Sequence, residues 1–242
     1  MRTLSLFLIP AMLALLGQSA FADEASVKAA LQKKYPNQIQ IESVTKTPLA
    51  GIYEVYADGQ IHYTDEKASF LFLNATMVDT EKKTNLTEER MSKLSAINFD
   101  QLPLNLAFKR VKGNGSRRLV VFSDPDCPFC KRVEGDLAKL DNVTIYTFLY
   151  PIDSLHPQAR DKAKRIWCSS DRVKAWDDAL VRGVSPSASP ACDNPVDRTV
   201  ELGNKYKVTG TPTLVFADGT RIPGAIPFEQ IEQKLASARP VK

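Results

Sequence analysis

The sequence predicts a mixed protein of two modules, a small α+β module followed by a larger α/β module. Three observations lead to this prediction. The chain of 242 residues is longer than one small hydrophobic core usually requires. Between residues 23 and 83, one helical pattern precedes several short alternating segments. From residue 118 onward, apolar runs of strand length alternate with helical patterns.

The first 22 residues have the pattern of a signal peptide. Arg2 is the only charge before the apolar run of residues 4–16, and residues 20–22 have the small-x-small form of a cleavage site. The alternative is a membrane anchor, but the run is shorter than the roughly 20 residues that a spanning helix needs, and Pro10 interrupts it. We therefore expect an exported protein that is cleaved after Ala22 and is soluble afterwards.

The charge distribution gives no indication of nucleic acid as a partner. The formal net charge is +4, and basic residues are mixed with acidic ones, as in residues 81–83 and 88–90. Such mixing is typical of a solvated surface, whereas nucleic-acid binding requires a clustered basic face.

The first module is predicted to contain one helix and a small antiparallel sheet. Acidic residues begin the helical segment and lysines end it, which suits the helix dipole. Asp58-Gly59 is a strong hairpin signal. The predicted elements are a helix at 23–35 and strands at 39–45, 51–57, 61–63, 69–73 and 75–78. This core is thin, so a module spanning residues 23–83 would gain stability from self-association.

A short amphipathic helix is predicted between the two modules, at residues 84–98. Thr87 is the expected N-cap, because acidic residues follow it and apolar residues then recur on one side. We interpret residues 84–100 as a linker helix. The alternative, a last helix of the first module, stays open.

The second module, residues 101–242, is predicted to begin as strand, helix and strand and to end as a hairpin and a helix. The predicted strands are 118–123, 143–150, 213–217 and 220–222. One predicted helix begins at Cys127, and four more cover residues 159–168, 172–181, 196–206 and 227–238. This order, with a helical insertion in the middle, is that of a thioredoxin-like domain.

Cys127 and Cys130 are the strongest chemical signal in the chain. Residues three apart share one face of a helix, so the two thiols can close a small, reducible disulfide. Cys127 falls at the expected helix N-cap, and Pro128 suits the first helical position. Unpaired amides there favour a thiolate, and lowering a thiol pKa from near 8.5 to around 5 raises its ionised fraction at pH 7 from about 3% to about 99%. Cys130 is predicted to be the more buried, resolving thiol.

Other interpretations of the dithiol remain. Asp124 and Asp126 could oppose ionisation of Cys127, although we interpret them as a solvated turn. A Cys-x-x-Cys pair is also half of a zinc site, but the remaining two cysteines are not a close pair and the two histidines lie far apart in sequence. A purely structural bond over so short a span would constrain the unfolded chain little. We therefore expect redox chemistry and no metal.

Cys168 and Cys192 have the opposite character. The segment between them is rich in polar and turn residues and has little core of its own. A bond closing about 25 residues contributes roughly 3 kcal/mol to stability. We interpret this pair as a structural disulfide, and a second redox centre is the alternative.

Two motifs together resemble the DsbC and DsbG family of periplasmic disulfide isomerases. Residues 122–131 read Phe-Ser-Asp-Pro-Asp-Cys-Pro-Phe-Cys-Lys, and residues 210–213 read Gly-Thr-Pro-Thr. The likeness covers nearly the whole chain after the signal segment. It implies a cystatin-like dimerisation domain at residues 23–83, a linker helix and a thioredoxin-like catalytic domain, in a V-shaped homodimer that holds unfolded or misoxidised exported proteins.

The resemblance also implies roles for individual residues. Cys127 would attack, Cys130 would resolve, and the Cys168–Cys192 bond would be structural. Pro212 would be cis and adjacent to the dithiol, and Thr211 would contact the cysteines and help to set the redox potential. No cofactor is implied beyond the Cys127–Cys130 disulfide, and a DsbD-type membrane reductase would keep that dithiol reduced.

The dipeptide between the cysteines separates this chain from the usual DsbC pattern. DsbC has Gly-Tyr, whereas this chain has Pro128-Phe129, which is closer to DsbG and to the oxidase DsbA. A disulfide oxidase is therefore an alternative to the isomerase, although a simple oxidase does not need the first module. A holdase chaperone with secondary redox activity is the third possibility.

Overall fold

The computed structural model describes residues 23–238, so the predicted signal peptide and its cleavage after Ala22 lie outside the described residues. No helix within the described part of the chain is long and apolar enough to cross a membrane. The chain divides into two compact units, one ending at Ala75 and the other beginning at Thr76. The four-part division of the chain, with boundaries at 22, 83 and 100, stays a prediction.

The first unit contains one helix and a four-stranded antiparallel sheet. Helix α1 is Glu24–Lys34, and the strands are β1 Ile41–Lys46, β2 Ile52–Ala57, β3 Gln60–Asp65 and β4 Leu71–Phe72, in the order β1-β2-β3-β4. The Asp23 side chain caps α1 by accepting a hydrogen bond from the Ser26 amide at 2.7 Å. Val27 and Leu31 on α1 are buried against the apolar face of the sheet.

The hairpin between β2 and β3 follows directly from the sequence. Asp58 and Gly59 have φ values of 51° and 78°, so both adopt the left-handed conformation that a two-residue hairpin turn requires. Asp tolerates this conformation better than most residues and glycine tolerates it without steric cost. The predicted turn is therefore confirmed.

Two predictions near the boundary between the units are wrong. Residues 75–78 do not complete the first sheet, because strand β5 (Val78–Asp79) pairs instead with β6 (Thr84–Asn85) in a separate ladder. Helix α2, Leu86–Leu94, is capped by the side chain of Asn85, which accepts from the Glu88 amide at 3.0 Å. Thr87 lies inside the first turn, where its hydroxyl accepts from the Met77 amide at 2.7 Å and so is not available as a cap.

The second unit is built on a five-stranded sheet with helices on both faces. The strands are β7 Phe108–Lys112, β8 Arg117–Ser123, β9 Val143–Leu149, β10 Thr213–Phe216 and β11 Arg221–Pro223, in the order β11-β10-β8-β9-β7. Strands β8 and β9 are parallel, and the other pairs are antiparallel. The helices are α3 Pro128–Leu137, α4 Ala159–Cys168, α5 Arg172–Asp177, α6 Val196–Lys205 and α7 Phe228–Ser237, with a π-helical turn at Asp178–Arg182 after α5.

Strand β8 is apolar from Leu119 to Phe122 because both of its faces are covered there. Leu119 and Val121 pack with residues of α3 and α7, whereas Val120 and Phe122 pack on the other face against a cluster that includes Phe148. All four β8 side chains are fully buried. Burial on two faces explains the continuous apolar run, which a strand with one solvated face would not have. The end of this rigid strand positions the residues that follow it.

Strand β7 was not predicted from the sequence. Its residues are Phe-Lys-Arg-Val-Lys, and the two adjacent charged residues Lys109 and Arg110 interrupt the alternation by which a strand is recognised. The strand contains these charges because it lies at the edge of the sheet, where it pairs only with β9. Edge strands commonly contain charged residues, which discourage pairing with other chains.

The insertion between β9 and β10 contains α4, α5 and α6 and is joined by a disulfide. Cys168, at the end of α4, is bonded to Cys192, and the two Cα atoms are 5.8 Å apart. Residues 183–195 between the π-helical turn and α6 form neither helix nor strand. The bond therefore closes a segment that contains α5 and the π-helical turn as well as an irregular stretch, and only residues 183–191 have the lack of regular structure that the composition indicated.

Gly203 of α6 packs directly against the ring of Tyr150, which follows β9. A Cβ atom at this position would collide with the ring of Tyr150. That ring is held in place, because its hydroxyl lies 3.0 Å from Asn204 Oδ1 and 2.9 Å from the Val208 carbonyl oxygen. Only glycine permits this packing.

Replacing Gly203 is therefore expected to destabilise the fold. In the Gly203→Ala variant, the clash with Tyr150 should lower the free energy of unfolding by about 1–3 kcal/mol. The matched control is Gly135→Ala in α3, where an added Cβ meets open space. This substitution should raise the free energy of unfolding by about 0.5–1 kcal/mol. Urea denaturation of both variants is the measurement, and equal effects of the two substitutions would contradict the packing argument.

Candidate active site

The end of β8 and the start of α3 place Cys127 at the helix N-cap, as predicted. Strand β8 ends at Ser123, and the turn of residues 124–126 is closed by a hydrogen bond from the Cys127 amide to the Asp124 carbonyl at 3.2 Å. Cys127 has extended φ and ψ values of −74° and 121°, and Pro128 is the first helical residue. The Cys127 carbonyl accepts from the Lys131 amide, which continues the helix. The nucleophile candidate thus lies among the unpaired amides of the helix start.

The two thiols are free and differ in burial. Cys130 is fully buried and Cys127 is 5% exposed. Both pack in an apolar cluster with Phe108 on β7 and Trp176 on α5. Cys130 is thus the deeper of the two thiols, in agreement with the prediction.

The pKa of Cys127 is lowered from 9.0 to about 5. The largest cause is a hydrogen bond with the Cys130 thiol; burial opposes it by raising the pKa, and Thr211 and the amides of Cys130 and Phe129 lower it further. The helix start therefore contributes, as predicted, but the neighbouring thiol contributes more. At pH 7 a thiol with such a pKa is about 99% ionised.

Cys130 behaves in the opposite way. Burial raises its pKa strongly, and the hydrogen bond that its thiol donates to the Cys127 sulfur raises it further because that bond requires the proton on Cys130. The Asp124 amide lies 3.5 Å from Cys130 Sγ and partly offsets this effect. One thiolate and one thiol therefore share a single site, and their proton equilibria are those of a coupled pair.

The segment before β10 brings Thr211 and Pro212 to the dithiol. The Thr211–Pro212 peptide bond is cis, and Cys127 Sγ lies 3.2 Å from the Thr211 carbonyl oxygen. Strand β10 pairs with β8 so that Thr213 is opposite Phe122, close to the end of β8. This pairing explains why residues 84 positions apart in sequence meet. The roles of Thr211 and Pro212 in redox tuning stay predictions.

The two residues between the cysteines face outward. Pro128 is exposed and Phe129 is 53% exposed. The Arg132 guanidinium lies 5.1 Å from the centre of the Phe129 ring. An exposed aromatic ring at the start of α3 offers an apolar surface next to the reactive sulfur.

The interpretation of Asp124 as part of a solvated turn is wrong. Asp124 is fully buried, and its carboxylate accepts from the Asp126 amide at 2.8 Å, the Ile152 amide at 2.8 Å and His156 Nδ1 at 3.0 Å. Asp126 is partly buried and forms an ion pair with Lys162 of α4. A buried carboxylate requires such partners, since an unpaired one costs several kcal/mol.

Sequence reasoning missed His156 as a site residue. It lies 32 positions after Asp124, in the loop between β9 and α4, and the sequence around it contains no motif. The pKa of His156 is raised mainly by the hydrogen bond to Asp124. Burial lowers this pKa, and attraction to the charges of Asp124, Cys127 and Asp126 raises it further. The only signal was a histidine within reach of a redox pair, which is too weak to identify a role.

A second buried carboxylate lies one turn along α3 from Cys130. Glu134 is 3% exposed, accepts from the Trp176 indole at 2.8 Å and pairs with Arg110 of β7 at 3.0 Å. Arg110 also pairs with Asp177. This network connects α3 to the edge strand and to the insertion. The sequence pattern did not indicate it, because its members are between 24 and 67 positions apart.

Among residues 23–238, no group of three or more histidine, cysteine, aspartate or glutamate side chains is arranged to hold a metal ion.

Comparison with known proteins agrees with this geometry. Residues 104–239 match the model of a thioredoxin-like domain, and residues 18–88 match that of the disulfide bond isomerase protein N-terminal domain. A probable thiol:disulfide interchange protein DsbC of Bordetella pertussis is 43% identical over 81% of this chain and 68% of its own length. The chain belongs to the DsbC family.

More distant members and a solved structure extend the comparison. DsbC of Escherichia coli K12 is 25% identical over 95% of this chain and 94% of its own length. The crystal structure of a disulfide interchange protein from Neisseria gonorrhoeae is 45% identical, with a TM-score of 0.55, and covers 58% of this chain and 100% of that one. The DsbC family assignment therefore rests on both units, and the predicted thioredoxin-like fold is confirmed.

A thiolate titration tests the asymmetry of this DsbC-family dithiol. In the reduced protein, Cys127 should be half-ionised at about pH 5. The ultraviolet absorbance of the thiolate measures this ionisation. In Cys130→Ala, loss of the hydrogen bond that lowers the Cys127 pKa most should move this midpoint upward, while the helix amides keep it below 9.0.

The control for this titration is Cys127→Ala. Its absorbance should not change below about pH 9, because Cys130 alone is deeply buried and burial raises its pKa. A midpoint near 9 in the unmodified reduced protein would contradict the proposed stabilisation of Cys127.

Proposed function

We propose that this protein is a thiol-disulfide oxidoreductase that acts as a protein disulfide isomerase, with Cys127 as the attacking thiol and Cys130 as the resolving thiol. The observation on which this rests is the asymmetry of the pair. The pKa of Cys127 is lowered to about 5, whereas burial raises that of Cys130. The family assignment supports the same class of reaction.

The reaction begins when the Cys127 thiolate attacks one sulfur of an incorrect client disulfide. A bond forms between Cys127 Sγ and that sulfur, the client bond breaks, and the second client sulfur leaves as a thiolate. A different client thiolate then attacks the client sulfur of the mixed disulfide and releases the Cys127 thiolate. The client keeps the same number of disulfides, and the enzyme ends reduced, so no cofactor beyond the dithiol is required.

Cys130 provides the escape from a mixed disulfide that does not rearrange. Its thiol loses a proton and attacks Cys127 Sγ, which forms the Cys127–Cys130 disulfide and expels the bound client sulfur as a thiolate, so that the client leaves with two free thiols in place of the original disulfide. The enzyme is then oxidised and requires two electrons. We propose that a DsbD-type membrane reductase supplies them.

Residues around the dithiol are proposed to bind the client. The Thr211 carbonyl contacts Cys127 Sγ, and Pro212 follows it in a cis bond. Pro128 and Phe129, which directly follow Cys127 at the start of α3, are exposed. A client segment lying across this surface would bring its disulfide to Cys127.

Export to the periplasm with cleavage after Ala22 is part of the same proposal. Thiol-disulfide exchange with secreted clients requires an oxidising compartment. The pattern of residues 1–22 supports export, and the Cys168–Cys192 bond is of the kind that persists outside the cytoplasm.

Reactivation of scrambled ribonuclease tests the isomerase proposal. The reduced protein should restore ribonuclease activity, and Cys127→Ser should restore none because no attacking sulfur remains. Cys130→Ser should retain part of the activity but accumulate mixed disulfides that a non-reducing gel detects, because the escape reaction is lost. The matched control is Ser187→Ala, an exposed position in the insertion, which should act as the unmodified protein.

The same assay distinguishes an oxidase. A thiolate stabilised to a pKa of about 5 also stabilises the reduced dithiol, which makes the disulfide form a stronger oxidant. An oxidase would form disulfides in fully reduced ribonuclease when supplied oxidised and would leave the scrambled protein unchanged. That result would overturn the isomerase assignment in favour of oxidase activity.

We further propose a homodimer joined through residues 23–83. The observation that supports this dimer is the apolar edge of the first sheet. Phe72 of β4, an edge strand of this sheet, is 48% exposed, and Phe70 and Leu73 on either side of β4 are 70% and 61% exposed. An exposed apolar edge is a surface to which a second copy can add.

The mass in solution tests this proposal. Light scattering should give twice the chain mass for the unmodified protein. The double variant Phe70→Asp and Phe72→Asp should give the mass of one chain, because it places charges on the apolar edge. Leu49→Asp is the matched control, since Leu49 is also exposed in the first unit but lies in the turn between β1 and β2. A monomeric unmodified protein would refute the dimer.

A further inference from the structure

We propose that His156 is a positioning residue of the dithiol, which compensates the buried charge of Asp124 and thereby favours the thiolate form of Cys127. The inference rests on the proposed role of Cys127 as the attacking thiol and adds a residue from outside both sequence motifs. It concerns a pair of side chains, Asp124 and His156, that the exchange reaction itself does not consume.

The backbone of Asp124 is connected to both cysteines. Its carbonyl accepts from the Cys127 amide at 3.2 Å, and its own amide lies 3.5 Å from Cys130 Sγ. Any movement of Asp124 therefore moves the helix start and the resolving thiol together. The side chain decides whether Asp124 stays in place, because the residue is fully buried.

The loop between β9 and α4 holds the Asp124 carboxylate. The Ile152 amide and His156 Nδ1 both donate to Oδ2. His156 is fixed in turn, since its amide donates to the Ile152 carbonyl at 2.9 Å and its carbonyl accepts from the Ala159 amide at 3.0 Å. The imidazole is 21% exposed, so it can exchange protons with solvent while it keeps this contact.

The charges around His156 explain why the imidazole should be cationic. Asp124, Asp126 and the Cys127 thiolate attract it, and Lys162 of α4 pairs with Asp126. With His156 protonated, each carboxylate beside the dithiol has a cationic partner. With His156 neutral, the Asp124 charge is uncompensated beside the Cys127 thiolate.

The pH dependence follows from the sign of these effects. The pKa of His156 is raised, mainly by the hydrogen bond to Asp124. The compensation is therefore fully present below the ordinary imidazole pKa of 6.5 and is lost as the pH rises through the raised pKa of His156. Because the neighbouring thiolate prefers a cation nearby, the two proton equilibria must be linked in both directions.

The first test compares Cys127 ionisation in full-length reduced variants. His156→Gln keeps a donor for Asp124 but removes the charge, so it should raise the Cys127 pKa by about 0.5 to 1. Alkylation by iodoacetamide at about pH 5, where half of Cys127 is thiolate, should then slow by about two- to fivefold. His156→Lys restores a cation and should recover a midpoint below that of His156→Gln.

Two controls make this comparison specific. Arg160→Gln removes a cation from α4, the helix that follows His156, but the partners of Arg160 are Asp153 and Asp197, so the Cys127 midpoint should not change. In an Asp124→Asn background, His156→Gln should have a smaller effect, because only the direct attraction between the imidazolium and the Cys127 thiolate then remains. An equal effect in that background, or an unchanged midpoint in His156→Gln itself, would overturn the proposal.

A second measurement needs no change at His156. The chain has two histidines, so their ring protons can be followed separately by nuclear magnetic resonance. In reduced Cys127→Ser, which lacks the thiolate, the pKa of His156 should fall by about 0.5 to 1 relative to the reduced unmodified protein, while that of His62 stays unchanged. An equal His156 pKa in both proteins would overturn the proposal.

The outcome is separable from that of the proposed function. If Cys127 of the unmodified protein ionised near pH 9, the role of Cys127 as attacking thiol would fail whatever His156 does. If Cys127 ionised at about pH 5 in the unmodified protein and equally in His156→Gln, only the positioning role of His156 would fail.

Discussion

The chemistry of this protein depends on one anion, the Cys127 sulfur, held at the first turn of α3. The Cys130 thiol donates to it, Thr211 lies beside it, and the amides of the helix start face it. The helix start is placed by a rigid element, because β8 is buried on both faces and ends directly before the turn. The low pKa of Cys127 is therefore a property of how strand, turn and helix are joined, and the deep burial of Cys130 makes the pair asymmetric.

The site places this anion among other negative groups, which requires compensation. Asp124 precedes the helix and is fully buried, and Glu134 is buried one turn beyond Cys130. Both have a basic partner from another element, His156 for Asp124 and Arg110 for Glu134. These pairs connect α3 to the loop before α4 and to the edge strand β7. Removing one partner of a buried pair costs more than the pair contributes, so each carboxylate makes its partner structurally necessary.

Helices, strands and turns with a local cause could be predicted, and those with a distant cause could not. Asp58 and Gly59 specify a hairpin by their own backbone preferences, and the apolar run of β8 specifies a buried strand. Strand β7 was missed because its charged residues suit an edge position, and only its pairing with β9 places it at the edge of the sheet. Thr87 was predicted as an N-cap from composition, but Asn85 has that role because β6 ends there and the Met77 amide occupies the Thr87 hydroxyl.

The same division applies to the site. The sequence by itself determined the dithiol, its place at a helix start and the proline at the first helical position, because these depend on residues within one turn of each other. Only the tertiary structure decided that Asp124 is buried, that His156 is its partner and that Thr211 contacts Cys127. Those contacts join residues 28 to 84 positions apart, and no local preference of the chain encodes a meeting at that distance. They exist because the parallel pairing of β8 with β9 and the antiparallel pairing with β10 bring three segments to one end of the sheet.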